Sequence, residues 1–190
     1  MEAAGGPVAA LAALEAAEEG AFLAAEEAED FPAGRLLRRR RRLGELVMAS
    51  FFSKLESDRI VAAIGDAERK TSAEIRVHVT HRKPKDLEER ARRRFHLLGM
   101  TKTAERNGVL FYIAPKARRF QILGDSGIHE KCGDDFWKEV AAEMEGSFRR
   151  GEFTEGILRG IEKVGEVVAR HFPHSEHDRD ELPDTIDEEP

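Results

Sequence analysis

The spacing of apolar and polar residues predicts three β-strands. Residues 74–80 alternate strictly, so they read as a strand with one apolar face. Residues 109–114 form an unbroken apolar run, which is typical of a strand covered on both faces. A turn at 115–118 then leads into 119–123, where alternation returns and predicts the second arm of a hairpin. We expect residues 124–127 to form an acidic, glycine-rich loop.

Four other segments repeat their apolar residues at helical spacing. Ser53 and Glu56 have the spacing of a capping box, and Asp86 is a cap residue for the second helix. Asp134 or Asp135 is a suitable cap for the third helix, and Thr154 for the fourth. The predicted helices are residues 53–70, 86–99, 134–151 and 154–172.

The order of these elements is helix, strand, helix, strand, strand, helix, helix. A strand–helix–strand unit implies two parallel strands joined by a right-handed crossover, and the hairpin then adds an antiparallel strand. Four helices are enough to cover both faces of a small sheet. The predicted fold is therefore an α/β protein, a three-layer α/β/α sandwich with a small mixed β-sheet.

Composition changes abruptly at both ends of this pattern. Residues 1–47 are dominated by Ala, Glu and Arg, so we expect a flexible or weakly helical extension. Its arginine run at 38–42 suits nucleic acid or an anionic membrane surface, but a solvated extension is the favoured interpretation. The predicted domain spans 48–173, and 174–190 is expected to be an acidic, flexible tail, in which Leu182, Pro183 and Ile186 are candidates to dock on the domain. Whether Met1 or Met48 is the true start stays open.

Charge and cysteine content narrow the class of protein. Charged residues make up 36% of the 190, and the net charge is −6, which favours a soluble protein and gives no reason to expect nucleic-acid binding. A single cysteine cannot form an internal disulfide, so we expect a cytoplasmic location. No apolar run approaches the roughly 20 residues of a membrane-spanning helix.

Five short motifs follow one another in the domain. They are TSAEI at 71–75, RNGVL at 106–110, RRFQILGD at 118–125, GI at 127–128, and FRRGEF at 148–153 followed by GI at 156–157. Together they resemble the TPM domain family, which is named after a thylakoid lumen protein, a photosystem II repair protein and a modulator of acetylcholine receptors. The resemblance covers roughly residues 51–172.

The resemblance implies a sandwich with a small mixed sheet and binding of calcium or another divalent cation in some members. It also implies a reported acid phosphatase activity in plant members. The chain departs from the better-studied members, because we find neither a signal peptide nor a membrane helix in it. Its tail at 179–184 is similar to that of soluble bacterial relatives. This departure argues against roles in photosystem repair or receptor modulation.

Strand direction predicts where acidic and amide side chains meet. Glu74 begins the first strand, Asn107 precedes the second, and Asp125 follows the antiparallel third, so all three are expected at one edge of the sheet. Asp134 and Asp135 follow in the next loop and are candidates to join them. Carboxylate and amide oxygens are suitable ligands for calcium or magnesium, and the resemblance favours such a site. The alternative is that these residues cap turns and helices or are solvated.

Three basic residues are weaker candidates for contact with phosphate or a partner. Arg118 and Arg119 lie in and after the hairpin turn, and His129 follows the glycine-rich loop. Exposed turn arginines and surface histidines are common, so no catalytic residue is assigned. The favoured hypothesis is a cation-binding protein-interaction or assembly module with a protein partner. The alternative is a divalent-cation-dependent phosphatase-like hydrolase.

Overall fold

A five-stranded mixed sheet divides the molecule into three layers, which confirms the predicted α/β/α sandwich. The computed structural model describes residues 8–10, 51, 55–174 and 186–189. The strands are β1 Val8–Ala10, β2 Ile75–Thr80, β3 Val109–Ala114, β4 Arg119–Gly124 and β5 Ile186–Glu189. The helices are α1 Ser57–Glu68, α2 Leu87–Leu97, α3 Ser126–Arg149 and α4 Phe153–His171.

The strand order β1-β4-β3-β2-β5 contains the predicted pairings at its centre. β2 and β3 are parallel, with Ile75 opposite Val109, and α2 crosses over between them. β3 and β4 form the predicted antiparallel hairpin. Its turn is the short 3₁₀ segment Pro115–Ala117, which is closed by a hydrogen bond from the Arg118 N–H to the Pro115 carbonyl (2.9 Å).

Both edges of the sheet are closed by segments that we expected to be flexible. Val8–Ala10 pairs antiparallel with β4, and Ile186–Glu189 pairs parallel with β2. The prediction of a flexible extension and a flexible tail is therefore wrong for these seven residues. Edge strands present unpaired N–H and C=O groups, which attract short extended segments of any composition. The other residues of 1–47, and residues 175–185 and 190, lie outside the described residues, and the domain boundaries remain a prediction.

The main core lies between the sheet and the layer formed by α1, α3 and α4. Alternate residues of β2 point into it, and each is fully buried, as the strict alternation predicted. The helical spacing of α4 also predicted its buried face correctly. The residues concerned are Ile75, Val77 and Val79 from β2, and Ile157, Ile161, Val164 and Val168 from α4.

A second, smaller core lies under α2 on the opposite face of the sheet. Leu87, Ala91 and Phe95 of the helix pack over Leu110 and Tyr112 of β3, so β3 is covered on both faces as predicted. The other face of β2, which carries its polar residues, is buried as well. Arg76, His78 and Thr80 lie there, and Asp187 of β5 and Arg94 of α2 lie against His78 in one polar cluster.

The predicted starts of the helices hold for α2 but not for α1, α3 or α4. Asp86 caps α2 by accepting the Glu89 N–H (2.9 Å), and Gly99 follows it with a φ of 77°. α1 begins at Ser57 without a side-chain cap, and Ser53 of the expected capping box lies outside the described residues. α4 begins at Phe153, so Thr154 is not its cap; its hydroxyl instead accepts the Glu56 N–H (3.0 Å). α3 begins at Ser126 rather than after Asp134 or Asp135. Its first seven residues replace most of the expected loop, and a break at Gly133 (φ 70°, ψ 179°) marks where the third helix was expected to start.

We expect Gly124→Ala to destabilise the fold. A Cβ at this position would lie 2.3 Å from the ring of Trp137, which is buried against the end of β4. Overpacking of this kind costs about 1–3 kcal/mol of unfolding free energy, measured by urea denaturation. Gly146→Ala is the matched control, because its nearest new contact would be 3.7 Å away within α3. That variant is expected to raise stability by up to about 1 kcal/mol, and equal effects of the two variants would contradict the packing argument.

Candidate functional site

A buried ion pair lies at the point where β4 ends and α3 begins. Asp125 is fully buried, and its Oδ1 accepts the Ser126 N–H (2.7 Å) at the start of α3. The guanidinium of Arg106 donates to both carboxylate oxygens, from Nε to Oδ2 (2.7 Å) and from Nη2 to Oδ1 (2.8 Å). The hydrogen bonds from Arg106 hold Asp125 in place, and the same contact raises the pKa of Arg106. Asp125 therefore serves as helix cap and ion-pair partner at once.

The backbone around this ion pair is interlocked. Arg106 adopts a positive φ of 54°, which directs the turn before β3 towards α3. The Asp125 N–H donates to the Gly108 carbonyl (2.9 Å), and the Gly127 N–H donates to the Arg106 carbonyl (3.0 Å). A Cβ on Gly127 would lie 2.4 Å from the Glu105 carbonyl oxygen, so only glycine fits here. The turn and the helix start are therefore in direct backbone contact.

Asn107 is buried beside this pair and has an unusual orphan atom. Its Nδ2 donates to the Ser72 carbonyl (2.8 Å) and to the Ser72 hydroxyl (3.1 Å), which determines the orientation of the amide. Its Oδ1 is buried and has no hydrogen-bond partner among the described residues. A buried acceptor without a donor is costly and indicates a place for an ion or a water molecule.

Glu74 completes the set that strand direction predicted. It is 5% exposed, and its carbonyl accepts the Val109 N–H (2.7 Å) at the start of β3. Glu74, Asn107 and Asp125 thus lie at one end of the strands, where β2 and β3 begin and β4 ends. We call this end of the sheet the amino edge.

Asp134 and Asp135 do not share the surroundings of the other three. Both lie just after the break at Gly133 and are largely exposed. Asp134 lies 3.7 Å from the Nε2 of His129, and Asp135 pairs with Lys138 (2.8 Å). Within residues 51, 55–174 and 186–189, no group of three or more His, Cys, Asp or Glu side chains is placed to hold a metal ion.

Arg118 and Arg119 lie at the other end of the strands. Arg119 is opposite Ala114, the last residue of β3, whereas Gly124 at the far end of β4 is opposite Val109. A six-residue strand is roughly 20 Å long, so these arginines are separated from Asp125 by about that length. The structure therefore does not bring Arg118 and Arg119 together with the predicted metal ligands, whereas His129 lies one helical turn after Asp125, with its N–H donating to the Asp125 carbonyl (3.1 Å).

Sequence reasoning missed a polar cluster between β2, β5 and α2. Asp187 accepts from His78 Nδ1 (2.7 Å) and from Arg94 Nε (2.6 Å), and the ring of His78 lies 4.7 Å from that of Tyr112. The available signal was the polar face of β2, where Arg76 and His78 alternate with apolar residues. Nothing in the local pattern showed that a distant strand would bring Asp187 against this face.

Burial and pairing shift the pKa values in this cluster. Burial lowers the pKa of His78 below its usual value, although the hydrogen bond to Asp187 acts in the opposite direction. Burial acts to raise the pKa of Asp187, but hydrogen bonds from Arg94 and His78 outweigh it and hold that pKa below its usual value. His78 is thus neutral near pH 7 and donates its Nδ1–H to the carboxylate, while Arg94 supplies the opposite charge.

A cleft of about 420 Å³ lies next to this cluster, at the end of the sheet opposite the amino edge. Its wall carries more basic than acidic side chains, with Tyr112 among them. The lining residues are Arg82, Lys83, Pro84, Lys85, Asp86, Glu89, Arg90, Tyr112 and Glu189. Such a surface attracts anionic groups.

The comparisons with known proteins give a family and a solved structure of similar fold. The model of the TPM domain matches residues 47–167. A solved structure of similar fold is the NMR structure of the BA42 protein from the psychrophilic bacterium Bizionia argentinensis, with 43% sequence identity and a TM-score of 0.67. That match covers 70% of this chain and 92% of the BA42 chain. No curated protein matches the chain. In the described part of the chain, no helix is both long and apolar enough to cross a membrane.

Removing the guanidinium of Arg106 should destabilise the fold, because the carboxylate of Asp125 would stay buried without a compensating charge. We expect Arg106→Ala to lower the unfolding free energy by roughly 2–3 kcal/mol, because Asp125 keeps only a backbone donor. Arg59→Ala is the matched control, since Arg59 also bridges two carboxylates, Glu56 and Glu155, but on the surface. Urea denaturation of both variants measures the difference. A loss no larger for Arg106 than for Arg59 would contradict the structural role of the buried pair.

The lowered pKa of His78 predicts that acid weakens the fold. The unfolded chain protonates this residue as pH falls through about 6.5, whereas the folded chain protonates it only at lower pH. Unfolding therefore takes up a proton in that window, and stability falls as pH falls. Asp187 acts in the same direction, because its contribution is lost as pH drops through its lowered folded pKa. Melting temperatures between about pH 7.5 and pH 5 measure the slope.

His78→Gln should reduce the pH dependence of the melting temperature. His96→Gln, which changes an exposed histidine of α2, is the matched control. If His78→Gln and the wild type lose stability in parallel as pH falls, the assignment to His78 is wrong.

Proposed function

Because the chain belongs to the TPM domain family, we propose that it is a protein-interaction module that binds a divalent cation, calcium or magnesium, at the amino edge. Its ligands there are Glu74, Asn107 and Asp125. The single thiol in the chain favours a reducing compartment, so we place this module in the cytoplasm.

The observation that carries the proposal is the orphan oxygen of Asn107. Its Oδ1 is buried without a hydrogen-bond donor among the described residues, and Ser72 holds the amide so that Nδ2 cannot take its place. Calcium and magnesium prefer hard oxygen ligands, including Asn side chains and carboxylates. An ion at this position would satisfy an oxygen that the described residues leave without a hydrogen-bond donor.

The two carboxylates fit the ion to different degrees. Glu74 is buried at the start of β2 and supplies negative charge at this edge. Asp125 is already neutralised by Arg106, so it becomes a ligand only when the guanidinium moves away. Arg106 is 39% exposed, which leaves it room to turn towards solvent. The ion has to compete with the guanidinium of Arg106 for Asp125, so we expect a weak affinity for the ion. The expected Kd lies in the range of low-affinity calcium sites, roughly 10⁻⁴–10⁻³ M.

The hydrolase alternative is less well supported. A metal-dependent phosphatase needs its ion, phosphate-binding groups and attacking water within a few ångströms of one another. Here the amino edge and the arginines of the hairpin turn are separated by the length of β4. His129 lies near Asp134 on α3 rather than with Arg118 or Arg119. This separation supports binding over catalysis.

Cation binding should raise the melting temperature of the full chain. An ion concentration tenfold above Kd adds about 1.4 kcal/mol to the unfolding free energy if only the folded state binds. Glu74→Gln should weaken this response, because it removes a buried charge with little change of shape. Differential scanning fluorimetry with millimolar calcium or magnesium is the measurement.

Asp135→Asn is the matched control for Glu74→Gln, because it removes an exposed carboxylate of α3 that pairs with Lys138. It should leave the response unchanged. Asp125→Asn should also weaken the response, but it breaks the pair with Arg106, so it tests stability as well as binding. An unchanged wild-type melting curve at millimolar ion concentrations would refute the cation site.

A further inference from the structure

The edge of β2 carries a strand from far along the chain. Ile186–Glu189 pairs parallel with β2 in a register that places Ile186 beside Val77 and Glu189 beside Thr80. The His81 N–H extends the ladder by donating to the Glu189 carbonyl (2.9 Å). Backbone pairing of this kind does not depend on side chains, so it fits any extended peptide of suitable shape.

The contacts of the β5 side chains show that the edge of β2 favours a strand with acidic residues. Ile186 packs against the main core, and Asp187 binds Arg94 and His78. Glu188 lies 3.7 Å from the imidazole of His81, and Glu189 lies 3.6 Å from the guanidinium of Arg82. Each acidic residue of the strand thus faces a basic or imidazole group. The β2 edge recognises one apolar residue followed by three carboxylates.

β5 is an element separate from α4. α4 ends at His171, and Pro173 pairs with Thr71 just before β2. Residues 175–185, which precede β5, lie outside the described residues. The described contacts of β5 are its pairing with β2 and its side-chain contacts with both sides of that strand, so a peptide that makes the same contacts competes with it.

We propose that the β2 edge is a binding site for an acidic, extended peptide of a protein partner, which adds as a strand and displaces β5. This inference rests on the proposed interaction function and names the chemistry of its partner. β5 is the occupant within the chain, and it keeps the edge closed until a partner competes with it.

Competition has a definite energetic threshold. β5 belongs to the same chain as its binding site, so its effective concentration there is of the order of millimolar. A separate peptide with the same contacts therefore displaces β5 only when the peptide is present near that concentration. The cleft beyond β5 offers further cations, because Lys83, Lys85 and Arg90 line it together with the acidic Asp86 and Glu89. An acidic partner that runs past the position of Glu189 would contact these cations as well.

The test uses a labelled synthetic peptide with the sequence of residues 184–190 and full-length protein. Asp187→Asn weakens the internal strand, because it removes the charge that pairs with Arg94. We expect this variant to bind the peptide roughly tenfold more tightly than the wild type. A peptide with Asn and Gln in place of its Asp and Glu should bind neither chain. Arg94→Gln in the Asp187→Asn background should abolish binding, since it removes the recognising cation.

A second measurement covers the case in which Asp187→Asn unfolds. The wild-type chain titrated with millimolar peptide should show shifts of the backbone amide signals of residues 77–80 in NMR spectra, and little change at the amino edge. No binding to the variant and no shifts in β2 would overturn the proposal. A variant that dimerises without binding peptide would overturn it in favour of strand exchange between two copies. The response to cations is measured on the same samples. If it persists when peptide binding fails, only the present inference falls.

Discussion

A carboxylate with no solvent exposure has to be neutralised, and this requirement at Asp125 organises one whole end of the molecule. Removing a charge from water costs several kcal/mol unless a partner compensates. Arg106 supplies the charge and the start of α3 supplies an N–H donor. The backbone N–H of Asp125 also donates to the Gly108 carbonyl. The end of β4, the turn before β3 and the start of α3 thus meet at Asp125. Asn107 follows Arg106 in that turn, so its position depends on the same contacts.

The two ends of the sheet differ in chemistry. The amino edge has buried carboxylates and an amide oxygen that accepts no hydrogen bond within the described chain, whereas the opposite end has a cleft rich in lysine and arginine. Because the strands between them are packed on both faces, these two surfaces cannot share one small ligand. The molecule therefore fits a function with two separate contacts, one for an ion and one for an acidic chain, better than a function with a single reaction centre.

Local patterns in the sequence were sufficient for the centre of the fold. The alternation in β2, the apolar run of β3 and the helical stripe of α4 each depend on burial of neighbouring residues, and the structure confirms them. They also predicted that Glu74, Asn107 and Asp125 share an edge. The start of α3 was missed because Gly127 and Gly133 are typical of loops, whereas the helix begins before both of them, with Asp125 as its cap. The polar cluster at His78 was missed because its partner Asp187 is more than a hundred residues away, beyond the reach of any local pattern.

The long separation between β2 and β5 has a consequence for synthesis of the protein. Thr80 precedes Ile186 by 106 residues, that is, 186 minus 80. The ribosome adds about 5–20 residues per second, so β5 is synthesised roughly 5–20 s after β2. During that interval the nascent domain has paired β2 with β3 on one side and presents open backbone groups on the other. The buried polar residues Arg76 and His78 lie on this strand, and a charge within it discourages pairing with another nascent chain.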